Sequence, residues 1–238
     1  MKKNYFYGRH SIDRRDINSV TKALKSELIS QGNELLKFEK NVAKYVGAKY
    51  CLAVSSGTAA LHIAVMSFNF KKDFLGLTSP ITFAATANSI IASNGKIDLI
   101  DIDRNTFNFS NYFFKKYLNN KNNKKPSVII PVNFAGVSPE MDKIFKTAKK
   151  NGIKIIEDAS QAMGGYFKGK KIGSCKYSDI TVFSLHPVKS ITAGEGGLIL
   201  TNNKKLFDRM KLLRVNGVEK TRKPSWFHDV TTLGLNYK

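Results

Sequence analysis

Three short stretches of this 238-residue chain hold the residue types that chemistry at one site would need. Ser55-Ser56-Gly57-Thr58-Ala59-Ala60-Leu61 is a run of small residues opening into an apolar segment. At a strand-to-helix turn such residues let backbone N–H groups approach an anion, and the helix N-terminus adds partial positive charge. Glu157-Asp158-Ala159-Ser160-Gln161-Ala162 follows the apolar run Ile153-Lys154-Ile155-Ile156, where an acid is costly to bury unless it meets a cation. Phe183-Ser184-Leu185-His186-Pro187-Val188-Lys189 leads towards Gly194-Glu195-Gly196-Gly197 and sets a lysine between an apolar strand and a glycine-rich turn. An amine drawn partly out of water there is a nucleophile. Each stretch alone has an ordinary counterpart: Ser-Gly-Thr turns are common helix caps, and Lys189 is one of 32 lysines.

The elements that must position these residues can be read from hydrophobic periodicity. Helices are predicted over 12–26 (with Ser11 as N-cap), 34–46, 58–68, 83–93, 110–119, 141–151 and 204–215. Strands are predicted over 50–55, 74–79, 97–102, 127–133, 154–157, 180–184 and 198–201. This alternation predicts βαβ units, hence an α/β fold: three layers, α/β/α, around a mostly parallel sheet. In such sheets ligands bind at the carboxyl ends of the strands, which is where all three stretches fall.

Taken together, an anion-cradling turn, a strand-end Asp and a strand-end Lys are the parts that a pyridoxal 5'-phosphate site requires. Lys189 would form the Schiff base, Asp158 would keep the pyridine nitrogen protonated, and Gly57, Thr58 and Ser184 would hold the phosphate. The motifs already quoted, with Leu233-Gly234-Leu235-Asn236-Tyr237, closely resemble those of the DegT/DnrJ family of sugar-nucleotide aminotransferases, in order and spacing. His-Pro-x-Lys followed by Gly-Glu-Gly-Gly is the most specific of them.

The resemblance implies the large domain of a fold-type-I pyridoxal-phosphate enzyme over residues 1–238, preceded by an N-terminal segment and ending before the family's small C-terminal domain. It implies that Gln161 hydrogen-bonds the ring hydroxyl, that Phe83 stacks on the pyridine face, and that Asn236 reaches the phosphate of a neighbouring subunit in a homodimer. Tyr7, Glu27, Leu28, Ile29, Ser30 and Ser56 would line the sugar-nucleotide pocket. Further pieces, including Ser79-Pro80-Ile81-Thr82-Phe83 and Pro131-Val132-Asn133-Phe134, resemble members that act on a UDP-linked 4-keto-6-deoxy-N-acetyl sugar with L-glutamate as donor, in pseudaminic-acid biosynthesis for surface glycans. A perosamine-type 4-aminotransferase, or a catalytically silent fragment, is the alternative. Asn133 stands where the family frequently has His, and Lys238 where it has Arg.

Composition narrows the remaining classes. The net charge of +21 comes from Lys far more than Arg, 32 against 7, scattered in pairs among Asn and Ile. That favours a solvated basic surface over nucleic-acid recognition, which relies on Arg forks. No apolar run approaches the ~20 residues of a membrane span, the basic N-terminus lacks the apolar core of a signal peptide, and two cysteines make neither a disulfide framework nor a metal site. A cytoplasmic protein with no metal is the expectation.

Overall fold

The computed structural model describes residues 8–219 and 227–238. Its elements run α1 (Arg14–Leu24), α2 (Asn33–Val46), β1 (Tyr50–Val54), α3 (Gly57–Ser67), β2 (Leu75–Thr78), α4 (Ala84–Ala92), β3 (Lys96–Leu99), α5 (Asn111–Asn119) and β4 (Val128–Ile130). They continue α6 (Met141–Lys150), β5 (Lys154–Asp158), β6 (Tyr166–Phe167), β7 (Lys170–Lys171), β8 (Ile180–Ser184), β9 (Gly197–Thr201), α7 (Lys204–Leu213), β10 (Val218–Glu219) and β11 (Asp229–Val230). Seven strands form one sheet in the order β1-β9-β8-β5-β4-β2-β3. Only β9 runs against the others, pairing antiparallel with both β1 and β8.

Side-chain alternation along each strand makes the three layers. Val128 and Ile130 of β4, Ile156 of β5 and Ile180 and Val182 of β8 pack on one face with α3, α4 and α7. The opposite face splits in two: Phe183, Leu198 and Leu200 meet α2, and Ile129 and Ile155 meet α5 and α6. Helix α3 is apolar around almost its whole circumference, so it sits buried among β8, β9, α4 and α7. Burial on both faces is why these strands read as continuous Val/Ile/Leu runs.

The structure corrects three local expectations. Asp13, not Ser11, caps α1: its side chain accepts from the N–H groups of Arg15 and Asp16, and Asp16 reaches back to Asp13 in a capping box. The strand expected over 97–102 spans only Lys96–Leu99; beyond it the Ile102 N–H donates to the Asp101 side chain and Ile102 bridges to Phe109 instead of continuing the ladder. The two-residue hairpin β6–β7 was not anticipated. Finally, α1 presents Ile17, Val20 and Leu24 on one side, yet none of its residues is buried, so among the described residues that face is exposed.

One buried ion pair ties the end of α7 to α2. Arg214 Nη1 donates to Glu39 Oε1 (2.8 Å) and to the Ala53 carbonyl (2.9 Å), while the Ala53 N–H donates to the same Glu39 oxygen. Arg214→Ala would leave Glu39 buried and unpaired, so a loss of about 3–5 kcal/mol in urea unfolding is expected. A loss below about 1 kcal/mol would show that the pair contributes little beyond a surface bridge.

Candidate active site

A cleft of about 520 Å³ opens at the carboxyl ends of β4, β5 and β8, against the N-termini of α3 and α4. Ser56 caps α3, accepting from the Ala59 N–H (3.1 Å). The N–H groups of Gly57 and Thr58, at the first two helical positions, have no intrahelical partner and border the cleft. Two glycines bring this turn onto the sheet. A Cβ at Gly57 would lie 2.9 Å from Ser184 Cβ, and one at Gly197 would lie 2.2 Å from the Ser56 carbonyl oxygen. Thr58 and Ser184 also line the cleft, so N–H and O–H donors gather where an anion would sit.

Asp158 is 3% exposed and lies on the α4 side of β5, as the last residue of its pairing with β8. Oδ1 accepts from the Ser160 hydroxyl (2.6 Å) and N–H (3.2 Å), and Oδ2 from the Thr86 hydroxyl (2.7 Å). Every partner is neutral. Among the described residues no cation meets this carboxylate, although burial of that depth calls for one. Gln161 spends its carbonyl on the Ala135 N–H (2.9 Å), and among the described residues its amide N–H groups have no partner and remain as donors at the cleft wall. Phe83, the residue preceding α4, is 78% exposed and borders the same space, so it does not pack under the helix that it opens.

Lys189 stands on the loop after β8, lining the cleft opposite β5. Its N–H donates to the His186 carbonyl (2.9 Å), and Thr192 and Ala193 both bond the Leu185 carbonyl, closing the loop on itself. The Lys189 side chain is partly exposed, and among the described residues its ammonium makes no ion pair. The Val188 N–H donates to His186 Nδ1 (3.4 Å), leaving Nε2 towards Glu195 (3.9 Å) at the cleft edge. Gly8 packs against Val188, where a Cβ would lie 3.1 Å from its Cα. Gly8 therefore lies against the residue that precedes the lysine.

Eight of the residues singled out from sequence line this one cleft: Ser56, Gly57, Thr58 and Phe83 on the helix side, and Asp158, Gln161, Ser184 and Lys189 on the strand side. Others do not reach it. Glu27, Leu28, Ile29 and Ser30 are exposed on the turn after α1, and Asn236 is exposed and bridged to Val215. The flanking Tyr237 is anchored, its carbonyl accepting from the Ser55 N–H and its hydroxyl lying 3.0 Å from His62 Nδ1. Tyr7 lies outside the described residues. Reading by sequence missed Thr86, whose Ala-Ala-Thr-Ala surroundings look like helix filler and whose role appears only where α4 meets β5.

Glu157, the neighbour of Asp158, points to the opposite face of the sheet. It accepts from Asn133 Nδ2 (3.1 Å) and the Thr181 hydroxyl (3.0 Å). Burial pushes its carboxyl above the usual carboxylate range, the two hydrogen bonds oppose that, and the Asp158 charge adds to it. Since folded Glu157 keeps its proton to higher pH than the unfolded chain, its contribution is full below the ordinary carboxylate range. It is lost as pH rises through the elevated value. Glu157→Gln lacks that loss, so urea unfolding should show the variant gaining on the wild type as pH increases. A difference independent of pH would assign the proton to another group.

The described residues contain no cluster that could hold a metal ion and no helix long and apolar enough to cross a membrane. The polar set instead suits a phosphorylated pyridine ring: an anion cradle, a buried carboxylate without a cation for a ring N–H, and a free amide donor for a ring oxygen. The sequence model of the DegT/DnrJ/EryC1/StrS aminotransferases matches residues 10–238. The chain belongs to this family. It is 42% identical over 232 residues to a Campylobacter jejuni (strain 81-176) protein named UDP-4-amino-4,6-dideoxy-N-acetyl-beta-L-altrosamine transaminase, covering 98% of this chain and 60% of that one. A GDP-perosamine synthase of Caulobacter vibrioides is 33% identical over 228 residues, 95% of this chain and 59% of that one. Among solved structures, Helicobacter pylori PseC, an aminotransferase of pseudaminic-acid biosynthesis, superposes with a TM-score of 0.91 at 30% identity, over 99% of this chain and 62% of that one. The fold is therefore that of the family's pyridoxal-phosphate enzymes, and the chain spans about 60% of the length of the curated relatives that it matches.

Proposed function

We propose that this chain works as a pyridoxal-phosphate-dependent aminotransferase that moves an amino group from L-glutamate to a UDP-linked 4-keto-6-deoxy-N-acetyl sugar, in pseudaminic-acid biosynthesis. The observation that carries the reading is Asp158: a buried carboxylate whose partners among the described residues are all neutral, in the same cleft as an anion cradle and a lysine that makes no ion pair with those residues. When bound, the cofactor supplies an electron sink for the carbon that loses its proton.

The chain's own residues have distinct tasks in this reading. Lys189 Nζ would hold the cofactor through its aldehyde carbon and, once displaced by the donor's amine, would be free to move a proton from the donor's Cα. Asp158 would accept from the ring N–H and so keep the ring cationic, while Gln161 would donate to the ring oxygen and Phe83 would cover one ring face. Gly57, Thr58 and Ser184 hold the phosphate, and Ser56 borders the sugar. A second copy of the chain would bring in Asn236 and the 27–30 turn. Two observations support this: both are exposed and clear of their own cleft, and α1 has an uncovered apolar face. Cys51 and Cys175, both free and buried, suit a cytoplasmic enzyme.

The UDP-linked acceptor rests on the 42% identity to the altrosamine transaminase, against 33% to the perosamine enzyme. Purified protein with pyridoxal phosphate and L-glutamate should convert a UDP-linked 4-keto-6-deoxy-N-acetyl sugar to the 4-amino product, read by mass spectrometry. Turnover of the GDP-linked 4-keto sugar instead would move the substrate assignment. Turnover of neither, with no glutamate-dependent change in the cofactor's absorbance, would overturn the reading.

A further inference from the structure

We propose that Thr86 is a positioning residue that aims one oxygen of Asp158 at the cofactor's ring nitrogen; this rests on the pyridoxal-phosphate reading above. Thr86 is fully buried in the first turn of α4, its hydroxyl 2.7 Å from Asp158 Oδ2 and 2.7 Å from the Thr82 hydroxyl. An ionised carboxylate only accepts, so Thr86 spends its one proton on Asp158, and Thr82 must donate to Thr86. The hydroxyls form a one-way chain running from Thr82, at the cleft wall, through Thr86 to the carboxylate.

The two carboxylate oxygens are not equivalent. Oδ1 already accepts twice, from the Ser160 hydroxyl and N–H. Oδ2 accepts once, from Thr86, and keeps one lone pair for a ring N–H. Thr86 also sits on the helix whose N-terminus carries Phe83. The same side chain thus fixes the helix bearing the aromatic wall against the strand bearing the carboxylate.

The test compares two ligands on three proteins. Thr86→Val keeps the shape and removes the donor, and Thr86→Ser keeps the donor. Pyridoxal phosphate can use Asp158, whereas its 1-deaza analogue, with C–H in place of the ring nitrogen, cannot. Equilibrium binding should show Thr86→Val weakened roughly tenfold or more for pyridoxal phosphate, close to wild type for the 1-deaza analogue, and Thr86→Ser restored for both. Equal weakening for both ligands would make Thr86 a mere prop for α4, and unchanged binding of both would remove it from the site; either result overturns the proposal. Failure of the wild-type protein to bind either ligand would overturn the cofactor reading itself, and the proposal with it.

Discussion

Lys189→Ala is expected to abolish amino-group transfer, with a fall of at least about 10³-fold, and to remove the only attachment point for the cofactor. The geometry makes the expectation specific to this lysine. Of 32 lysines, Lys189 is the one lining the cleft among the described residues, and no carboxylate there competes for its ammonium. Borohydride treatment of the wild type with pyridoxal phosphate should add the reduced cofactor's mass to the peptide holding residue 189. In Lys189→Ala that adduct should vanish, while the protein melts close to the wild-type temperature, since the side chain is partly exposed and makes no ion pair. A reducible adduct on another lysine, with transfer retained, would place the reaction elsewhere.

The readable part of this site was readable because it lies where chain direction changes. The small residues at the start of α3, the acid that ends β5 and the loop after β8 each interrupt an apolar run, and in a parallel sheet such interruptions share one edge. Strand alternation then decides roles that sequence leaves open. Glu157 and Asp158 are adjacent acids, yet β5 sends them to opposite faces, one to Thr181 and Asn133, the other to Thr86. Thr86 carried no local signal, because a hydroxyl in the first turn of a helix reads the same whether it faces water or a carboxylate 72 positions away. The β6–β7 hairpin escaped for a different reason. Its strands are two residues long, below any periodicity, and its turn rests on Lys168 and Gly169 at positive φ. Helix α1 shows the opposite case: its pattern predicts a helix correctly but not where its apolar face goes, and among the described residues that face stays exposed.

Asp158→Asn should separate stability from function most sharply. In the protein without ligand, Asp158 is a nearly fully buried carboxylate held by two hydroxyls and one N–H. Asparagine has almost the same shape, carries no charge to desolvate, and can accept from Ser160 through its carbonyl while its amide donates to the Thr86 oxygen, provided that hydroxyl rotates away. The variant should therefore unfold at the same denaturant concentration as the wild type or a higher one. Cofactor binding should move the other way. Removing one partner of a buried charge pair costs about 3–5 kcal/mol, or roughly 10²- to 4 × 10³-fold in affinity. Transfer should also fall beyond what added cofactor restores, because a ring that is not held cationic is a weaker electron sink. Equilibrium binding, denaturant unfolding and turnover at saturating cofactor, measured on one preparation, distinguish the outcomes. If all three decline together, Asp158 is a structural acid. If stability holds while affinity and saturated turnover both collapse, its carboxylate is kept buried for a cation that arrives with the ligand.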